Sequence, residues 1–304
     1  MAILYLSTPE RGVIFRARLA EAFPGLPFHE GQAPDPAAVT VIIAWTCPRD
    51  LFAAHPNLAL LVSIGAGVDQ LDMSAVPSHV KVVRMLEPGL QEQMAEWVTL
   101  AVLALHRDLP SYIAQARDGV WKSGRNVPAR QRRIGIMGMG QLGQAVFSAL
   151  KPFGFPLAGY SRRGAAPAGV EGFTDLDAFL ARTDILIGLL PLTAETEGLF
   201  RSEFFMKLPH GARFVQAGRG KQLNGADLIA ALDSGQLSAA MLDVTDPEPL
   251  PPDHPLWRHP KVIITPHVAC QTRAEEGARH VVAVLRAWRA GEPIPGLIDR
   301  ARGY

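Results

Sequence analysis

The constraint that narrows the fold most is the run Arg133-Ile134-Gly135-Ile136-Met137-Gly138-Met139-Gly140-Gln141-Leu142-Gly143. Ile134 to Met137 read as a buried strand, the glycines follow at G-x-G-x-x-G spacing, and residues 141–153 carry a helical pattern. In such a turn Gly138 permits the sharp bend, Gly140 lets the backbone approach a pyrophosphate, and Gly143 lets helix and strand pack closely. The helix start at Gln141 and Leu142 offers N–H groups and a partial positive charge to phosphate. Without its context the spacing describes only a glycine-rich turn. Between a strand and a helix it reads as a dinucleotide-binding loop.

The remaining sequence repeats the same alternation. Short apolar runs at residues 2–6, 41–45, 58–64 and 80–83 precede the loop, and runs at 157–160, 184–190, 213–217, 239–244 and 262–265 follow it. Helical patterns lie between many of them, which predicts α/β architecture with doubly wound parallel sheets. At 304 residues the chain is long enough for two such domains. The expected division is a flavodoxin-like substrate domain of residues 1–98 plus 270–304 and a Rossmann cofactor domain of residues 99–269. Residues 94–105 are apolar on nearly every helical face, so that helix is expected to be buried between domains or against a second copy of the chain. For the last helix the expected signals are Thr272 as cap, Glu275 completing a capping box, and Gly291 as stop.

A net charge of +1 gives no reason to invoke nucleic acid or an anionic membrane. Cys47 and Cys270 stand in no metal-ligand spacing, so no metal site is expected and reduced thiols are. The first residues lack a basic leader and read as a strand, and no apolar run reaches membrane-spanning length. The expectation is a cytoplasmic, soluble protein.

Three charged residues follow predicted strands. Arg219 stands in Gln216-Ala217-Gly218-Arg219-Gly220, Glu248 in Asp246-Pro247-Glu248-Pro249, and His267 in Thr265-Pro266-His267-Val268. Each alone reads as an ordinary loop residue. Together they fall at the carboxyl edge of one sheet, where open α/β folds bind ligands. Gly65-Ala66-Gly67-Val68-Asp69 also follows a strand, and its backbone N–H groups can converge into an anion nest or simply make a turn. The strand after the glycine loop ends Tyr160-Ser161-Arg162-Arg163, without the acidic residue that holds the ribose hydroxyls of NAD. Ser161, Arg162 and Arg163 suit a 2′-phosphate, so NADPH is expected, with NADH possible as a poorer cofactor.

These stretches resemble the D-isomer specific 2-hydroxyacid dehydrogenase family, and within it most closely the glyoxylate/hydroxypyruvate reductase A group. The match runs through Gly65–Asp69, Glu92-Gln93-Met94, the glycine loop, Leu189-Leu190-Pro191, Arg219-Gly220, Met241-Leu242-Asp243-Val244, Glu248–Pro252, Pro255-Leu256-Trp257, Thr265–Ala269 and the terminal Asp299–Tyr304. The resemblance implies that Arg219 binds the carboxylate of a 2-oxo acid, His267 donates the proton, and Glu248 orients the imidazole. It assigns Leu190, Pro191, Ala217, Gly218 and Asp243 to the cofactor, with Asp243 near the nicotinamide carboxamide. Backbone groups of Ala66, Gly67 and Val68 would take the other side of the carboxylate, in a cleft between the domains. Trp45 and Trp257 would bound a small pocket, although Trp257 reads equally well as core. The implied activity is reduction of small 2-oxo acids such as glyoxylate and hydroxypyruvate by a homodimer. The other readings are a dehydrogenase of another D-2-hydroxy acid and a nucleotide-sensing, corepressor-like binding protein. Gln216-Ala217-Gly218 departs from the Asn or Ser pattern of many relatives and puts the pocket wall or the nicotinamide contacts in question.

Overall fold

The structure, a computed structural model, describes residues 1–68, 70–162, 164, 167 and 169–300. Asp69, Arg163 and residues 301–304, all named above, lie outside the described residues. The chain folds as two compact units, Met1–Leu90 together with the chain from Gln271 onward, and Gln91–Cys270.

The first unit opens with β1 (Ala2–Leu6), α1 (Pro9–Ala22), β2 (Phe28–Glu30), β3 (Val39–Ala44), α2 (Asp50–Ala54), β4 (Leu60–Ser63) and β5 (Lys81–Val83). Its strands pair parallel in the order β2-β1-β3-β4-β5. Ile3, Ile42, Ile43, Leu60, Leu61 and Val62 have no exposure, as expected of parallel strands covered on both faces. β2 was not anticipated from the sequence. It is a three-residue edge strand whose residues are all half-buried, too short to show a period.

The second unit begins within α3 (Pro88–His106) and continues through α4 (Leu109–Arg117), β6 (Ile134–Met137), α5 (Gln141–Leu150), β7 (Leu157–Tyr160) and β8 (Glu171–Phe173). It goes on through α6 (Leu176–Ala181), β9 (Ile185–Gly188), α7 (Ser202–Phe205), β10 (Ala212–Gln216), α8 (Gly225–Asp233), β11 (Leu237–Leu242) and β12 (Val262–Ile264). Seven parallel strands lie in the order β12-β11-β10-β9-β6-β7-β8. The strand order reverses at β6, which has β9 on one side and β7 on the other. That is the switch point of the doubly wound sheet, and the glycine loop leaves it there.

The burial expected of α3 comes from a different source than anticipated. Met94, Trp97, Val98, Ala101, Val102 and Leu105 pack into the core of the second unit itself, with Ile134, Val146 and Phe155. This packing also explains why residues 91–98 belong with that unit. Leu100, on the opposite face, is 57% exposed.

The chain then returns to the first unit as α9 (Ala274–Ala290), which packs on α1, with Arg18 and Glu275 paired at 2.8 Å. Gly291 ends α9 with φ of 72°, as the sequence predicts. The start differs from expectation. Arg273, not Thr272, is the cap residue, and no cap side chain bonds the first turn. Glu275 is drawn to Arg18, and the Thr272 carbonyl accepts from Arg11 at 2.9 Å. The buried Glu87 takes over, accepting the Arg273 N–H at 3.1 Å from outside the helix.

Candidate active site

The carboxyl ends of β10, β11 and β12 bring the three charged residues together. Glu248 accepts from His267 Nδ1 at 2.7 Å through Oε2, and from the Thr245 N–H at 3.1 Å through Oε1. One carboxylate thus ties the histidine ring to the loop after β11. The Glu248 hydrogen bond holds the His267 pKa above the ordinary histidine range, outweighing burial and the opposing charge of Arg219. Burial alone would raise Glu248, but the His267 and Thr245 hydrogen bonds bring it below the usual carboxylate range. Both side chains are more than a third exposed, so solvent screens the pair.

His267 is set by a buried carboxylate. Asp243 is 3% exposed and accepts from Thr265 Oγ1 at 2.6 Å, the Val268 N–H at 2.9 Å and the Ala269 N–H at 2.9 Å. Its backbone carbonyl accepts the His267 N–H at 2.8 Å. Trp97 Nε1 of α3 donates to Thr265 Oγ1 at 3.1 Å, extending the chain of hydrogen bonds into the core. Asp243 therefore organises the histidine turn, a role that the sequence does not reveal.

Arg219 leads from β10 into a single 3₁₀ turn, residues Gly220–Gln222. A Cβ at Gly220 would run into the Thr245 carbonyl, and one at Gly218 would sit 3.0 Å from the Leu190 carbonyl oxygen. The arginine is therefore seated between the loops that follow β9 and β11, and glycine is needed on both sides. Its Nη1 donates to the Gly218 carbonyl at 2.8 Å, and its charge depresses the pKa values of both Glu248 and His267. Gln216 and Gln222, both without exposure, brace this turn from beneath. Gln216 is thus interior rather than part of a pocket wall. The signal for Gln222 was its position three residues after Arg219, the spacing of a capping box.

The glycine loop fits a dinucleotide. Gly138 has φ of 103°, and a Cβ there would lie 2.6 Å from the Leu189 carbonyl oxygen. A Cβ on Gly143 would collide with the Gly138 carbonyl, whereas Gly140 at the start of α5 faces open space. The closeness at 138 and 143 and the opening at 140 are what a pyrophosphate cradle requires. Gln141 is tethered by Gln91 at 3.0 Å, and Leu142 packs on the core. Leu190, Pro191 and the buried Ala217 follow the neighbouring strands β9 and β10. Ser161 and the exposed Arg162 follow β7, with Arg162 acting electrostatically on Glu195.

Within the first unit, Ser63 Oγ accepts the Gly65 N–H at 3.2 Å and donates to the Gly67 carbonyl at 3.1 Å, folding residues 65–68 tightly after β4. Gln70 Nε2 donates to the same Ser63 oxygen at 2.9 Å. The half-exposed Trp45 ring lies on Gly65, where a Cβ would come within 2.5 Å. Trp257, in the second unit, is 47% exposed and donates to the Pro251 carbonyl at 3.0 Å, so it is not core.

Comparison with known proteins adds to this geometry. Residues 99–269 match the family model described as D-isomer specific 2-hydroxyacid dehydrogenase, NAD binding domain. The chain is 38% identical over 296 residues to a glyoxylate/hydroxypyruvate reductase A of Salmonella newport, covering 94% of each. A D-isomer specific 2-hydroxyacid dehydrogenase from Xanthobacter autotrophicus, solved with NADPH and MES, superposes with a TM-score of 0.92 at 37% identity over 100% of this chain and 99% of that one. An NADPH-dependent glyoxylate/hydroxypyruvate reductase from Sinorhizobium meliloti, solved with NADP and sulfate, gives a TM-score of 0.91 at 36% identity, with both chains covered completely. The chain belongs to the D-isomer specific 2-hydroxyacid dehydrogenases, a family of NAD(P)-dependent oxidoreductases.

Proposed function

We propose that the protein reduces small 2-oxo acids, glyoxylate and hydroxypyruvate foremost, with NADPH as the preferred cofactor. The observation that carries the reading is the 2.7 Å His267–Glu248 pair beside Arg219, on the unit that holds the glycine loop. The bound cofactor supplies a hydride to the carbonyl carbon of the oxo acid. Arg219 binds the carboxylate through its fork of donors and draws charge from the carbonyl oxygen. With Nδ1 committed to Glu248, the His267 imidazolium gives its Nε2 proton to that oxygen. Backbone groups of Ala66, Gly67 and Val68 are proposed as further carboxylate donors, and Trp45 and Trp257 as limits on substrate size. Asp243 retains its proposed contact with the nicotinamide in addition to its hold on the histidine turn.

The names of the relatives in Salmonella and Sinorhizobium support the substrate assignment, and the NADPH and NADP in the solved relatives support the cofactor. Ser161 and Arg162, with Arg163, are the proposed 2′-phosphate site. A homodimer is the proposed assembly, supported by exposed Leu100, Leu109, Tyr112, Ile113, Val120 and Trp121 along α3, α4 and the segment after them. Loss of reduced-nicotinamide absorbance is the test, with glyoxylate, hydroxypyruvate, pyruvate and a bulkier 2-oxo acid each offered NADPH and NADH. Fast turnover of the first two with NADPH is expected. Preference for the bulky acid or for NADH would overturn the assignment.

A further inference from the structure

The turn carrying Arg219 is held by two interior amides. Gln216 ends β10, and its Nε2 donates to the Arg219 carbonyl at 2.9 Å and to Gln222 Oε1 at 3.2 Å. Gln222 Oε1 also accepts the Arg219 N–H at 3.0 Å. Its Nε2 reaches the other way, donating to the carbonyls of Leu190 at 3.2 Å and Pro191 at 3.0 Å. Both backbone groups of Arg219 are thus gripped by side chains that have no exposure, and the grip extends to the loop after β9. The amide orientations follow from this network, because a flipped Gln222 would set its NH₂ against an N–H and its oxygen against two carbonyls.

One atom pays for the arrangement. Gln216 Oε1 is buried without a hydrogen-bond partner. An orphaned buried acceptor is destabilising, so a leucine of similar size would suit the interior as well or better. An interior that keeps the amide despite this cost uses it for its donor atom, which is spent on Arg219.

We infer that Gln216 and Gln222 are positioning residues for Arg219, fixing the backbone from which its guanidinium meets the substrate carboxylate. The inference rests on the reading of Arg219 as the carboxylate-binding residue. Neither glutamine touches substrate; both act through the arginine. A displacement of about 1 Å at a binding group can cost on the order of 10²-fold in rate, so a modest slackening of the turn is enough to be measured.

The test is Gln216→Leu in the full-length protein. The KM for glyoxylate is expected to rise on the order of tenfold, with NADPH affinity, read by nicotinamide fluorescence, within about twofold of the parent. The thermal midpoint should be unchanged or higher, because the orphaned acceptor is gone. The neutral 2-oxo amide of the same acid provides the control. Without a carboxylate, only the carbonyl oxygen is left for Arg219 to act on, so the loss on the amide should be smaller than the loss on the acid. Gln222→Met, which keeps the length of the side chain but not its hydrogen bonds, should show the same split in KM and serves if the first variant does not fold. Unchanged KM for glyoxylate, or equal losses on acid and amide, overturns the inference while leaving the functional reading intact. A parent that binds NADPH but reduces no oxo acid overturns the functional reading, and this inference with it.

Discussion

His267 has φ of 53°, in the left-handed region that residues with a Cβ seldom adopt. Such a conformation persists only where its surroundings enforce it. Here the enforcing group is Asp243, which holds the His267 N–H through its carbonyl and the next two N–H groups through its carboxylate. The ring direction is then completed by Glu248. His267→Ala is expected to slow reduction by roughly 10²–10⁴-fold while NADPH affinity, read by fluorescence titration, stays near that of the parent. Undiminished turnover would remove His267 as the proton donor. The role of Glu248 shows in the pH profile. A raised histidine pKa keeps the imidazolium populated above the ordinary range, so reduction persists to higher pH before the alkaline fall. Glu248→Gln should move that fall in kcat/KM to lower pH, and an unmoved limb would mean that Glu248 does not set the charge on His267.

At the scale of elements, the start of α9 is held by a buried acid contributed by another segment. Glu87 is 5% exposed, and burial first, then the neighbouring Glu276 carboxyl, push its pKa up to about 7. Glu276 is lowered by its hydrogen bond with Glu87 and by Arg273. Burial and the Glu276 carboxyl keep a proton on Glu87 to higher pH than usual, with Arg273 as the neighbouring cation. In the folded chain Glu87 retains this proton after the unfolded chain has lost it. Its contribution is therefore full in acid and falls as pH rises from the ordinary carboxylate range through about 7. Glu87→Gln should flatten this decline in thermal midpoint and make the variant relatively more stable at about pH 8. A decline as steep as the parent's would show that Glu87 is not its source. On the second unit, Thr265→Val should cost roughly 1–3 kcal/mol in chemical denaturation by leaving Trp97 Nε1 without its acceptor and taking one of three hydrogen bonds from Asp243. These contacts mark where sequence reading stops. The glycine loop, the strands and the Arg219, Glu248 and His267 positions were legible because apolar runs and strand-end loops are local signals. Glu87 as a cap and Thr265 as a link join residues dozens to nearly two hundred positions apart, and no local pattern encodes that; for Gln222 the capping-box spacing was local, but its reach to the loop after β9 was not. β2 and β8 escaped for a simpler reason, since three residues at a sheet edge show no period.

For the whole molecule, the proposed homodimer is tested at the apolar residues left exposed along α3, α4 and the following segment. Trp121 is fully exposed in the single chain. Trp121→Glu should shift the mass measured by light scattering from dimer toward monomer, and an unchanged mass would place the contact elsewhere. The first unit is also discontinuous in sequence. Its sheet is made by the first ninety residues, while α9 on α1 and the Arg300 guanidinium on the carbonyls of Val76, Pro77 and Val80 come from the other end of the chain. During synthesis on the ribosome, the opening sheet must wait, its α1 face uncovered, while the whole of the second unit emerges. The order in which the protein matures is therefore the reverse of the order in which it begins. The nucleotide-binding half can close first, and the half that precedes it is completed only once α9 and Arg300 have followed.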